Sequence, residues 1–184
     1  MKTSLNGIAT LVAHEGIVPG PYRDSVSVWT WGVGHTIGAG APDPYKMARG
    51  MPADLDTTLR AVFVQFASDL AKYEADVDRA VTVPMAQHEF DALVSFHYNT
   101  GGIARANLTK RLNAGDRKGA AAGFMGWIKP AEIIPRRKDE QTLFATGVYK
   151  QGRATVWGVD SNGRVIWKPV RTLDFSEIAK MMKS

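Results

Sequence analysis

The chain has no cysteine. That absence excludes disulfide cross-links, thiolate nucleophiles and cysteine-based zinc sites together, and it fits synthesis in a reducing cytoplasm. No apolar run approaches the roughly 20 residues needed to cross a bilayer, so no stable membrane insertion is expected. The opening MKTSLNGIATLVA reads as an amphipathic helix whose apolar face is interrupted by Asn6, Thr10 and His14, with no signal peptide evident. Low-complexity linkers and internal repeats are also missing. Of the histidines, His14, His88 and His97 lack metal-ligand spacing and read as helix residues, so neither a metal nor any other cofactor is implied.

What is present is ordinary for a folded chain. Its 184 residues are 45% hydrophobic and 22% charged, which suits one domain or two small lobes and excludes disorder. The net charge of +5 fits an anionic partner such as nucleic acid, acidic lipid or cell-wall polymer. Basic residues are spread along the chain, and Arg136-Arg137-Lys138 is their one tight cluster. No recognition helix or stacking motif accompanies it, so nucleic acid is not the expected partner.

The stretch His14–Thr36, HEGIVPGPYRDSVSVWTWGVGHT, concentrates chemistry. Glu15, Asp24, Thr30 and His35 stand in order among glycines and prolines that bend backbone sharply. Leu5, Ile8, Leu11 and Val12 share one helix face, with Thr3 or Ser4 as cap and Gly16 as a left-handed stop. Glu15 therefore falls at a helix C-terminus, where a carboxylate is disfavoured; that suits a group that must carry a proton. Read singly, Glu15 would be an exposed helix-end acid, and Asp24 and Thr30 a turn cap and a strand residue. Alternation at Val26, Val28 and Thr30 predicts a strand there, within a small twisted sheet over residues 20–50.

Asp54 or Asp56 caps a long helix that keeps helical rhythm from Leu59 to Val77 and is closed by Pro84. Helices follow at Gln87–Tyr98, Leu108–Leu112, Lys118–Trp127 and from Pro135 to the stop at Gly147. Thr155–Val159 and Val165–Trp167 flank Asp160-Ser161-Asn162-Gly163-Arg164, a hairpin signal. A short helix at Ser176–Met182 ends the chain.

These residues resemble the phage-type lysozymes, glycoside hydrolase family 24, which serve phages as endolysins. The family pattern is Glu, eight residues, Asp, five residues, Thr, then Gly-x-Gly-His. It stands here as Glu15, Asp24, Thr30 and Gly32-Val33-Gly34-His35, with Tyr22 two before the Asp. The likeness continues in FDALVSFHYNTG (90–101), LTKRLNAGDRKGAA (108–121), Trp127 and PRRKDEQTLFATG (135–147), and so covers about residues 4–150.

The resemblance implies an α+β, mainly helical, lysozyme-like fold. A small β-containing lobe (about 15–55) would join a larger helical lobe (1–14 and 84–150) through a long helix (56–83), with residues 151–184 as a C-terminal hairpin and short helix. It makes Glu15 the general acid, Asp24 the transition-state stabiliser or activator of the attacking group, and Thr30 the water holder. Asn99 would line the cleft, Arg136 would face the catalytic glutamate, and His35 would pair with Asp69 in a structural role. The partner it implies is peptidoglycan polysaccharide, met as a monomer from the host cytoplasm through a holin pore. Two departures stand out. The stretch Ile128–Ile134 has no glycine where the family is glycine-rich, and Ser27 occupies a common turn-glycine position. The rival expectations are a lytic transglycosylase and a non-catalytic wall-binding protein on the same scaffold; the first needs no activated water, and the second should have lost Glu15, Asp24 or Thr30. Trp29, Trp31 and Trp127 could stack on sugars, but packing is the expected use.

Overall fold

The structure, a computed structural model, describes residues 1–150 and 152–182. The chain runs α1 (Leu5–Glu15), β1 (Val18–Arg23), β2 (Trp29–Gly32), β3 (His35–Thr36), α2 (Leu55–Ala80), α3 (Gln87–Thr100), α4 (Asn107–Asn113), α5 (Arg117–Gly123), α6 (Ile134–Thr146), β4 (Ala154–Val159), β5 (Val165–Leu173) and α7 (Phe175–Met181), with short 3₁₀ turns between. It is α+β and mainly helical, as expected. Two compact units form: Met1–Thr10 with Leu70–Gln151, and Leu11–Asp69 with Gly152–Ser184. The division cuts α1 after Thr10 and α2 after Asp69, and groups the C-terminal hairpin with the first three strands.

The first unit is helical. Ser4 caps α1 by accepting from the Gly7 amide at 3.0 Å. Phe90, Leu93, Phe96, Leu108, Phe124 and Phe144 are fully or almost fully buried, and Phe124 meets Phe96 and Phe144 at centroid distances of 5.5 and 5.6 Å. Left-handed glycines end two helices: Gly101 (φ 58°) returns its N–H to His97, and Gly147 (φ 71°) to Leu143. The long helix stops at Ala80, short of the expected residue 83. The cause is Asn113, whose side chain donates to the Ala80 carbonyl at 2.9 Å and accepts the Thr82 amide at 2.9 Å. Capping from a distant loop cannot be seen in local periodicity.

The second unit holds both sheets. Asp54 caps α2 by accepting from the Thr57 amide at 3.0 Å. The three-stranded sheet has order β1-β2-β3, all antiparallel, with Tyr22 opposite Thr30, Arg23 opposite Trp29, and Thr30 opposite Thr36. The expected strand through Val26 and Val28 is corrected. Asp24 Oδ1 accepts the Val26 and Val28 amides at 3.0 and 2.8 Å, which takes them from any ladder, and β2 begins only at Trp29. Val26 and Val28 therefore belong to a turn, both exposed, and only the Trp29–Thr30 end of the expected strand is in the sheet. Strand β1 was not anticipated. Pro19 and Pro21 have no N–H to give, and its register with β2 is irregular between Val18 and Tyr22.

Candidate active site

Glu15 is the last residue of α1. Its backbone position is set from both sides. Gly16, at φ 70°, donates its N–H to the Val12 carbonyl at 2.9 Å and ends the helix. Ile17 then exchanges hydrogen bonds with β4, donating to Thr155 at 2.9 Å and accepting from Trp157 at 2.8 Å. A side chain on Gly16 would lie 2.9 Å from the Trp157 indole nitrogen, so both conformation and space call for glycine there.

Asp24 organises a tight turn. Besides the two amides on Oδ1, its own N–H donates to the Val28 carbonyl at 3.0 Å, and its carbonyl accepts the Ser27 amide at 3.0 Å. One carboxylate oxygen is committed to the turn, leaving Oδ2 as the oxygen that the turn does not use. Ser27 sits at φ 64°, the one left-handed non-glycine among the described residues, which accounts for glycine being common at that position.

Thr30 is buried in the central strand, and its hydroxyl donates to the Val28 carbonyl at 3.2 Å. With the hydrogen so directed, the oxygen keeps lone pairs to accept a hydrogen bond from a further donor such as water. Tyr22, opposite Thr30, links these groups electrostatically. Burial first, and then the charges of Glu15 and Asp24, push its phenol well above the ordinary tyrosine range. The charges of both carboxylates therefore act on this one phenol.

His35 is buried beside Trp31 in an edge-on contact at 6.4 Å. Its Nδ1 lies 2.7 Å from Asp69 Oδ2, and its Nε2 lies 2.8 Å from the Pro42 carbonyl oxygen. Both partners are acceptors. Asp69 is held in turn by Gln65, which donates to Oδ1 at 2.9 Å. The pair ties β3 to α2.

Asn99 and Arg136 belong to the helical unit. Arg136 is buried; its Nε donates to Glu140 Oε1 at 2.9 Å, and its terminal nitrogen donates to the Ser95 carbonyl at 3.0 Å. Arg137, fully buried, donates to Glu140 Oε2 and to Asn99 Oδ1. Ser95 completes the cluster by donating to Glu140 Oε1 at 2.7 Å. Glu140 and Ser95 were not singled out from the sequence. The helical spacing of Arg136, Arg137 and Glu140 was the available signal.

The tryptophans divide by environment. Trp31 is buried and donates to the Pro19 carbonyl at 2.8 Å; half-buried Trp29 has the guanidiniums of Arg49 and Arg23 at 3.6 and 4.8 Å from its ring; half-buried Trp127 packs on Phe96. The exposed indole is Trp167 on β5, which strand periodicity alone had placed only as a hairpin residue.

Comparison with known proteins shows the family. The family model described as Phage lysozyme matches residues 12–140. The endolysin of Salmonella phage P22 is 35% identical over 150 residues, covering 78% of this chain and 98% of that protein. The SAR-endolysin of Escherichia phage Mu is 36% identical over 142 residues, covering 73% of this chain and 76% of that one. Among solved structures, a P22 lysozyme mutant superposes with a TM-score of 0.66 at 30% identity, covering 79% of this chain and 99% of that one. The muramidase domain of SpmX from Asticaccaulis excentricus does so with a TM-score of 0.64 at 26% identity, covering 79% and 98%. With the matched segment spanning Glu15, Asp24, Thr30 and Arg136, the chain belongs to the phage lysozyme family.

Proposed function

We propose that this chain is an endolysin muramidase. It hydrolyses the β-1,4 bond between N-acetylmuramic acid and N-acetylglucosamine in bacterial peptidoglycan, and thereby lyses the host for phage release. Glycoside hydrolysis needs one protonated and one ionised carboxyl flanking the scissile bond. Glu15, at the negative end of α1, gives its proton to the glycosidic oxygen as the C1–O bond breaks. Asp24 faces the positive charge that develops on the sugar, using the oxygen that its turn leaves over. Thr30 accepts a hydrogen bond from the water that replaces the leaving group. Asn99 and Arg136 are the substrate-binding residues we assign on the helical unit, where Glu140 and Ser95 orient the Arg136 guanidinium.

The observation that carries the reading is the placement of Glu15 at the end of α1, of Asp24 in the turn between β1 and β2 and of Thr30 in β2 opposite Tyr22, in a chain of the phage lysozyme family. Among the described residues no helix is long and apolar enough to cross a membrane. The route we propose is accumulation as a monomer in the host cytoplasm and passage to the wall through a holin pore, with the net charge of +5 favouring residence on an anionic surface.

Clearing of permeabilised Gram-negative cells by wild type and Glu15→Gln tests the mechanism. Wild type should clear them, and the variant should be slower by about 10²–10⁴-fold, the usual contribution of a positioned general acid. Equal rates would sink it. The mass of the released sugars separates hydrolysis, which adds water, from a transglycosylase, which leaves an anhydro product.

A further inference from the structure

Strands β4 and β5 lie beyond the residues that the family model matches, yet they are fastened to the segment that carries both carboxylates. Ile17, two residues after Glu15, bridges to Val156. A side chain on Gly20 would lie 2.8 Å from Val159. The Arg23 amide, one residue before Asp24, donates to the Gly163 carbonyl at 2.9 Å, and a side chain on Gly163 would strike the Trp29 ring at 2.6 Å.

The hairpin carries a bulge. Gly158 faces Ile166 while the preceding Trp157 faces Pro169, so Trp167 and Lys168 are extra residues on β5. Bulges re-aim side chains, and here the indole of Trp167 is thrown outward, 77% exposed, while Trp157 holds it edge-on at 5.4 Å. Between the hairpin and the Asp24 turn lies a groove of about 750 Å³, within the range of small-ligand sites. Tyr22, Arg23, Asp24, Asn162, Arg164 and Trp167 are among the residues lining it.

We propose that this groove is an added glycan subsite, which holds the peptidoglycan strand beyond the bond being cut. The occupant follows from the lining. An oriented, exposed indole offers an apolar face to a sugar ring. Arg23 and Arg164 offer charge-assisted hydrogen bonds to the carboxylates of the peptides on muramic acid, and Asn162 offers an amide to ring hydroxyls or acetamido groups. The same groove is lined by Asp24, so a strand bound there is continuous with the reacting sugar. This subsite rests on the muramidase reading above and extends it to a part of the chain outside the matched family segment.

The test uses the full chain in the Glu15→Gln background, measuring sedimentation with purified peptidoglycan sacculi across protein concentrations. Trp167→Ala should weaken binding by about 2- to 10-fold, the size of a lost aromatic contact, and Trp167→Tyr should largely restore it. Adding Arg164→Ala to Trp167→Ala should weaken it further and flatten its salt dependence. Val64→Ala, at an exposed position on α2, should bind as the parent does. Because Trp167 is so exposed, its variants should keep the parental melting temperature. Parental binding by the Trp167→Ala, Arg164→Ala double variant would overturn the subsite, as would a loss seen with anionic vesicles but not with sacculi. Failure of the underlying reading shows separately: Glu15→Gln would then clear cells as fast as wild type, whatever the binding.

Discussion

Asp24 divides its carboxylate between architecture and chemistry, and substitutions can separate the two. Asparagine keeps a carbonyl oxygen for the Val26 and Val28 amides, whereas alanine removes it and leaves them to water. Asp24→Asn should therefore lose most clearing activity while its urea midpoint stays close to wild type. Asp24→Ala should lose activity and also about 0.5–1.5 kcal/mol of stability, the net worth of a hydrogen bond that water can replace. Equal midpoints for the two variants would show that the turn does not depend on this oxygen. Ser27, in the same turn, adopts a left-handed conformation that costs an L-residue about 1–2 kcal/mol. Part of that strain is offset by glycine's greater unfolded-state entropy. Ser27→Gly should raise the urea midpoint by an amount equivalent to about 0.5–1 kcal/mol, and Ser27→Val, β-branched and so the less tolerant of positive φ, should lower it.

Between elements, the α3–α6 contact is built on charge. Glu140, nearly inaccessible, accepts from Arg136, Arg137 and Ser95. Removing one partner of a buried pair strands the others, at about 3–5 kcal/mol, so Glu140→Ala should lower the unfolding free energy by that amount in a denaturant titration. A loss below 1 kcal/mol would mean that the cluster behaves as a surface pair. Elements of this kind show which parts of the molecule were legible beforehand. Helices α1, α3 and α6 declared themselves through apolar spacing and terminal glycines, since both are local properties. Glu15, Asp24, Thr30 and the His35–Asp69 contact were reachable through a spaced family pattern and not through periodicity. Strand β1 was hidden because Pro19 and Pro21 imitate a loop, and the Val26–Val28 alternation misled because a side chain outbid the sheet for its amides. The end of α2 and the bulge that exposes Trp167 depend on partners far along the chain, which no local window contains.

Across the whole molecule, ionisable groups favour the folded state on both flanks of neutrality. Asp54, Asp76, Asp116, Asp174 and Glu177 all lie below the ordinary carboxylate range. The chief causes are hydrogen bonds from Thr57 to Asp54, from His97 to Asp76, and from the amides of Gly119, Glu177 and Asp174 to the other three. A depressed folded value means that the unfolded chain takes up protons first on acidification. This stabilisation is complete above about pH 4–5, the unfolded range, and is lost as pH falls through the folded values. On the alkaline side, burial and then the hydrogen bond to Asp91 push Tyr149 up to about 12, and burial with two nearby carboxylates raises Tyr22. A raised phenol contributes stability that is present below about pH 10 and lost as pH rises through the folded value. The melting temperature should therefore be flat from about pH 5 to 9, with a fall on each side. Asp76→Asn should shallow the acid fall and leave the alkaline one alone, and Tyr149→Phe should do the reverse. Melting curves at closely spaced pH values check this, and a Tyr149→Phe variant with an undiminished alkaline fall would remove Tyr149 from the account.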